Sequence, residues 1–343
     1  MVKVAGVLMS ICIPSYNRVK ELERLLRSVD CDPAVVEIVI CEDAAPLRVG
    51  VRETVKAFIS RSPYKVVYEE NKVNLGYDGN IRRLIEVASG EFVLFMGDDD
   101  RFIPGALDKF IAFLSVHRGV GYVLRSYYAE HPDGTLEPFQ YCKTVRYFEP
   151  SVETCVFLFK RTVSIAGVTF KRSSALAVAT ERFDGTLLYQ LHLVLEVGFT
   201  EPSVFCNIPV AVMAQTYRDD KPQFGAAAKE SRFQPGKVTP TNSITFTQGF
   251  FEIANAFDEK HGVHTSSLIA VDLSKYSYPI LSIQRKNGVC RFIKYSIRLA
   301  RETPINKTWH YYVYALALVL FGEAFCDKSI VWVKRRIGHT PRL

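Results

Sequence analysis

Over the first hundred residues, short apolar runs alternate with stretches in which apolar side chains recur every three or four positions. Residues 7–17, VLMSICIPSYN, are an apolar, β-branched run that ends in Pro, Ser and Asn, and residues 18–30 follow with Leu22, Leu25, Leu26 and Val29 at helical spacing. The alternation repeats: a strand is predicted over 35–43 and a helix over 51–62, then a strand over 64–70, a helix over 76–90 and a strand over 91–97. Strands that alternate with helices at such intervals predict an α/β fold with a doubly wound, mainly parallel sheet. Ligands of these sheets bind beyond the carboxyl ends of the strands. Here those ends are polar: Pro14 to Asn17, Glu42 and Asp43, and Asp98 to Asp100.

The pattern then loosens. A helix is predicted over 105–118, a strand over 119–130, a turn at 131–134, a helix over 186–198 and a strand over 203–217. Residues 218–242 are rich in Gly, Pro and charge without clear period and read as a loop, and helices follow beyond 243. The longest apolar stretch there, Tyr311 to Phe321, falls short of the roughly 20 residues a membrane span needs and predicts a buried or interfacial helix. The opening apolar residues run into Pro14 without a signal-type cleavage site, so they read as a first strand.

Composition narrows the class. Hydrophobic residues make up 48% and charged residues 23% of 343, a globular balance. Eight scattered cysteines without a C-x-x-C pair predict reduced thiols in a cytoplasmic protein. The net charge of +7 is uneven, because residues 285–343 hold 12 Lys and Arg against 3 Asp and Glu. Basic amphipathic segments such as CRFIKYSIRLAR predict peripheral contact with an anionic membrane, with a helical bundle on the main domain or an oligomer contact as the alternative. No nucleic-acid motif accompanies the charge.

Asp98, Asp99 and Asp100 follow a buried-type strand directly. A helix cap uses a single carboxylate, so three in a row predict either a solvated turn or a site for a divalent cation that neutralises phosphate. Three segments, SICIPSYNR, VEIVICEDA and NLGYDGNIRRLIEVASGEFVLFMGDDDRFIPGAL, occur in that order, and in this the chain resembles the family 2 glycosyltransferases of GT-A fold over about residues 8–107, more loosely to about 220.

The resemblance implies inverting transfer of a sugar from a nucleotide-diphosphate donor, a UDP-sugar as first guess, to an acceptor hydroxyl with Mn²⁺ or Mg²⁺. It further implies a glycan or lipid-linked glycan acceptor in bacterial surface polysaccharide assembly, at the inner face of the plasma membrane. The glycosyltransferase domain would cover 1–240, with a nucleotide-binding half over 1–107 and an acceptor half over 108–240, ahead of a helical basic region over 241–343. Pro14, Ser15, Tyr16 and Asn17 match the turn that packs on base and ribose. Asp43 would accept from the base, although Ala44 and Ala45 replace the family's Gly-Ser. Gly76 and Asn80 match the Asn-x-Gly segment, and Arg83 or Arg82 would reach the base or phosphates. Gly97 replaces the first Asp of the usual Asp-x-Asp-Asp, so Asp98 would face the ribose and Asp99 would hold the metal, with Asp100 near the acceptor or as a second metal ligand. Arg218, after the predicted strand 203–217, would clamp a phosphate.

The family's catalytic base is a carboxylate, but its position falls on Leu191 and His192. His192 is the first candidate for the base, since neutral imidazole accepts a proton near neutrality, and Asp184 or Glu181 the second. Two other classes stay open: a nucleotidyltransferase, although no Gly-rich phosphate loop is present, and a non-catalytic nucleotide-sugar-binding scaffold.

Overall fold

The computed structural model describes residues 6–131, 133–214, 228–234, 236 and 238–337. In chain order the elements are β1 (Met9–Ser15), α1 (Val19–Arg27), β2 (Val36–Glu42), α2 (Arg48–Ile59), β3 (Lys65–Glu70), α3 (Gly76–Val87), β4 (Phe92–Phe95), β5 (Arg101–Phe102), α4 (Ala106–Val116), β6 (Tyr122–Glu130), β7 (Leu136–Phe139), β8 (Arg146–Phe148), α5 (Val152–Phe159), β9 (Val168–Lys171), α6 (Arg172–Ala177), α7 (Tyr189–Thr200) and β10 (Ser203–Ala214). Then come α8 (Pro240–His261), α9 (Thr265–Lys275), α10 (Tyr278–Arg285), α11 (Val289–Glu302), α12 (Trp309–Phe321) and α13 (Glu323–Ile337).

The strands form one sheet in the order β3-β2-β1-β4-β9-β6-β10-β5, with β7 on β6 and β8 on β10. β3, β2, β1 and β4 pair in parallel, as do β6 and β10, while β9 runs antiparallel between β4 and β6. Helices cover both faces of the sheet, so its inner strands are apolar on both sides. Ile11, Ile13, Ile38, Ile40, Phe92 and Leu94 pack with α1, α2 and α4. Cys12, Val39, Cys41, Val93 and Phe95 point the other way, toward α3, α5, α7, α8 and α9.

The chain runs β1, β2, β3 outward on one side and then returns to place β4 against the other side of β1. The carboxyl ends of β1 and β4 therefore meet where the strand order reverses, the position at which such sheets bind ligands.

The C-terminal helices are not a separate layer. Phe250, Phe251, Ile253, Ala254 and Phe257 of α8 and Ile269, Ala270 and Leu273 of α9 lie in the same core as α5 and α7. A second, smaller core joins α10 to α13 with Ile244 of α8. Among the described residues no helix is long and apolar enough to cross a membrane. The eight cysteines are free thiols, and only Cys290 is exposed.

Candidate functional site

The acidic turn sits at the reversal point and is held by a cation from β1's turn. Asp98 Oδ2 accepts from the Tyr16 amide at 3.1 Å, and its Oδ1 accepts from Arg18 Nη1 at 2.7 Å. The same Arg18 nitrogen lies 3.2 Å from Asp99 Oδ2, and Arg24 donates to the Asp99 carbonyl. Burial pushes the Asp98 carboxyl above the ordinary carboxylate range, with Arg18 opposing. Arg18 was not among the residues singled out from sequence, although it closes the SICIPSYNR segment.

Asp100 departs from its expected role as a metal ligand. Its side chain is buried, Oδ2 accepts from the Gly97 amide at 3.2 Å and Oδ1 from the Ala214 amide at 3.0 Å, so it ties the turn to the end of β10. Burial and then the Asp99 charge raise its pKa well above the usual value. A Cβ at Gly97 would lie 2.7 Å from Asp100 Oδ2 and 3.1 Å from Asp99 Oδ1, so a larger residue there would displace these carboxylates.

Asp99 is the carboxylate of the three with appreciable side-chain exposure, 22%. Among the described residues no three His, Cys, Asp or Glu side chains are grouped to hold a metal. Hard cations such as Mg²⁺ commonly take one or two protein carboxylates and complete their shell with substrate phosphate and water. The residues present fit a cation shared in that way, with Asp99 as its protein ligand, and do not fit an all-protein cage.

The second strand end is built from its own side chains. Buried Glu42 accepts from the Ala44 and Ala45 amides at 3.1 and 2.6 Å and from Arg48 Nε at 3.2 Å, so the turn forms without the Gly-Ser, with Ala44 at φ 53°. Asp43 Oδ1 accepts from Asn71 Nδ2 at 2.8 Å and the Leu75 amide at 2.7 Å. Burial raises the Asp43 pKa against these bonds.

Asn80 is buried one step behind Asp43: it accepts from Asn71 and donates to the Cys41 carbonyl at 3.0 Å, a positioning geometry. Gly76 takes φ 77°, and its amide donates to Asn74 Oδ1 at 2.9 Å. On the β1 side, Asn17 at φ 59° accepts from the Leu47 amide, the Tyr16 hydroxyl bonds Asn74, and Pro14 is half-buried. The buried Ser15 hydroxyl has no hydrogen-bond partner among the described residues. The structure thus gathers Pro14 to Asn17, Asp43, Gly76, Asn80 and Asp98 to Asp100 around one crevice.

Arg83 is not brought there. It pairs with Glu69 at 2.6 Å and Glu86 at 3.1 Å, toward β3. Arg82, on the adjacent face, reaches Asp184 with Nη1 at 2.6 Å and Nη2 at 3.1 Å. Lys229 also contacts Asp184, at 2.7 Å. Burial raises the Asp184 pKa, but Arg82 and Lys229 outweigh it and hold the carboxyl below its ordinary value. The segment around Arg218 lies outside the described residues.

The stretch that carries Asp184 is fixed by a carboxylate far away in sequence. Asp78 of α3, buried, accepts from the amides of Gly185, Leu187, Leu188 and Tyr189 at 2.8 to 3.0 Å. Burial pushes its pKa to about 7, with the amides of Leu187 and Tyr189 opposing. Asp78 replaces a local cap at the start of α7, whose N-cap residue Leu188 has no polar side chain to offer.

His192 does not have the geometry expected of the base. It is 7% exposed, its Nε2 lies 2.8 Å from the Val178 carbonyl, and its ring packs on Phe183 and Tyr189. A carbonyl only accepts, so Nε2 carries the proton. Burial lowers the His192 pKa despite the Val178 carbonyl and Glu196, as for a neutral core histidine.

Comparison with known proteins agrees with this architecture. Residues 10–155 match the model described as Glycosyl transferase family 2. The chain is 31% identical over 102 residues to abequosyltransferase RfbV of Salmonella typhimurium, covering 29% of this chain and 31% of that protein. It is 30% identical over 101 residues to a Campylobacter jejuni GalNAc(5)-diNAcBac-PP-undecaprenol beta-1,3-glucosyltransferase, covering 29% and 32%. The similarity thus spans about a third of each relative.

Among solved structures, S. aureus TarS 1-349 in complex with UDP-GlcNAc superposes with TM-score 0.55 at 15% identity, over 98% of this chain and 93% of that one. The mannosyltransferase PcManGT from Pyrobaculum calidifontis, in complex with GDP-Man and Mn2+, superposes with TM-score 0.53 at 14% identity, over 93% and 88%. These likenesses establish the GT-A fold.

Proposed function

We propose that this chain, whose residues 10–155 carry the family 2 glycosyltransferase pattern on a GT-A fold, transfers a sugar from a nucleotide-diphosphate donor to an acceptor hydroxyl with inversion. The observation that carries the reading is the acidic turn at the β1–β4 reversal point, with Asp99 presented to solvent and its neighbours held in place by Arg18, Tyr16, Gly97 and Ala214.

In this reading the nucleotide lies against Pro14 to Asn17, with Asp43 at the base and Asp98 beside the ribose. Mn²⁺ or Mg²⁺, when bound, neutralises the donor diphosphate, and Asp99 is the residue that holds it. Arg18 keeps the two acids from repelling each other. Of the two candidate bases Asp184 is preferred, because it is a carboxylate held in its ionised form. Ionised and oriented by Arg82 and Lys229, it has the form needed to accept a proton, although its low pKa makes it a weak acceptor until one of those partners moves. A relative named for a polyprenol-linked glycan, GalNAc(5)-diNAcBac-PP-undecaprenol, supports a glycan or lipid-linked glycan as the acceptor class.

The test is calorimetric binding of UDP, GDP, CDP and TDP, each with and without Mn²⁺, to the native protein and to Asp99→Ala. Binding of one nucleotide that needs both metal and Asp99 is the expected result and names the donor class. Absence of metal-dependent binding to any of them overturns the reading. Donor binding without turnover selects the scaffold alternative, which the engaged state of Asp184 and the burial of His192 favour over the nucleotidyltransferase.

A further inference from the structure

The apolar surface of the C-terminal region lies elsewhere than the sequence pattern suggests. In α11, Phe292, Tyr295 and Leu299 are buried in the small core, so the apolar side of the CRFIKYSIRLAR segment is mostly used up. What α11 leaves outside is a basic row, Arg291, Lys294, Arg298 and Arg301, with Ile293 and Ile297 beside it. The neighbouring helix α12, joined to α11 by a Tyr311 hydroxyl bond to the Ser296 carbonyl at 2.6 Å, does the reverse. It buries only Tyr311 and Leu318, and leaves Trp309, Val313, Leu316 and Leu320 exposed by 66, 47, 58 and 64%.

Those four positions are spaced four, three and four residues apart, so they form one stripe along the helix. Phe321, Phe325 and Trp332 extend the exposed apolar surface onto α13. Contiguous exposed apolar side chains of this kind mark an interaction surface.

We propose that α12 and α13 lie in the plane of an anionic lipid bilayer, the apolar stripe immersed at the headgroup boundary and the basic residues on the headgroups. Charge argues for this occupant. Residues 285–343 hold 12 Lys and Arg against 3 Asp and Glu. Each of the three acids is engaged by the protein: Glu302 pairs with Arg298 at 2.5 Å, Asp327 accepts from Tyr278 at 2.5 Å, and Glu323 faces Lys286 and Arg285. Arg336 stacks over Trp332 at 4.3 Å, an aromatic ring and a cation at one point of the surface, as residues at a membrane boundary are arranged. α12 has 13 residues, about 20 Å at 1.5 Å per residue, so it lies on a bilayer and does not cross it. The inference does not depend on the transferase reading, since it uses no residue of the crevice.

The experiment is flotation of the full chain with vesicles of phosphatidylcholine alone or with phosphatidylglycerol, at low and high salt, alongside sedimentation without lipid. The expected result is binding to the anionic vesicles that weakens with salt. The Leu316→Glu/Leu320→Glu double variant should bind at least about tenfold more weakly, with its cooperative melt retained because both side chains are exposed. No flotation with anionic vesicles overturns the inference, and so does equal flotation with both vesicle types at all salt concentrations. A lipid-free dimer that the double variant abolishes also overturns it, in favour of a second copy of the chain on this face. The salt series on the unmodified protein decides the matter even where the variant does not fold.

Discussion

Asp78 Oδ2 lies 2.9 Å from the amide of Gly185, across 107 residues of sequence, and this bond with its three neighbours fixes the Asp184 turn to α3, the helix that begins beside Asp43. A helix beside the acidic turn thereby sets the position of Asp184. Asp78→Ala strands four amides in a buried place, and the expected loss is about 3 to 5 kcal/mol by urea denaturation. Asp78→Asn, which keeps one acceptor oxygen, should lose less and retain the fold, with kcat reduced more than KM is raised.

Asp99 is predicted to act on ligand and not on folding. Asp99→Asn should change stability by no more than about 1 kcal/mol, since the part-exposed carboxylate loses its Arg18 contact but also stops repelling Asp98 and Asp100. Nucleotide affinity in the presence of Mn²⁺ should fall at least about tenfold, while the metal-free affinity stays unchanged. Arg18→Ala should behave otherwise: by leaving buried Asp98 without its cation it should cost about 3 kcal/mol, measured in the same titration.

The two base candidates separate kinetically. Asp184→Asn should lower kcat by about 10²- to 10⁴-fold, the usual contribution of a general base. His192→Gln, which retains a donor for the Val178 carbonyl, should lower it by less than about tenfold. A larger effect from His192→Gln than from Asp184→Asn would reverse the assignment.

His192 carries a pH prediction with a definite sign. Its folded pKa lies below the unfolded 6.5, so the unfolded chain binds the extra proton between those two values. Stability from this group is complete above pH 6.5 and is lost as pH falls through the folded value. Melting temperatures between pH 5 and 7.5 should therefore drop more steeply for the native protein than for His192→Gln, with the two curves parallel at the alkaline end.

The sheet and the crevice were legible because their signals are local. Ile11, Ile38 and Leu94 sit in runs apolar on both faces, and each run stops at the polar residues that form the site. The acidic turn is visible in sequence as a cluster but not member by member: Asp98, Asp99 and Asp100 are adjacent, yet Asp98 is buried against Arg18, Asp99 is part-exposed at the edge of the same guanidinium, and Asp100 is buried against Ala214. Those differences depend on strands folded against the turn from elsewhere. Asp78 illustrates the same limit, because its four partners lie 107 to 111 residues away. Which helix of the tail keeps its apolar side open was not legible for a related reason, since the composition of α11 marks a helix with an apolar side, while only tertiary packing determines that this side is covered and that of α12 is open.

One helix belongs to both cores. α8 contributes Phe250 and Ile253 beside α7 and Ile244 beside α11, and Ser243 at the same end accepts from Gln284 at 2.7 Å. Its 22 residues make a single rigid register between the crevice and the last four helices. Inserting one residue between Ile244 and Phe250 would rotate one core against the other by about 100° without changing what either contains. The angle at which the crevice faces relative to α12 is thus set by the count of residues in α8, so the length of this helix fixes how the two ends of the molecule are aimed.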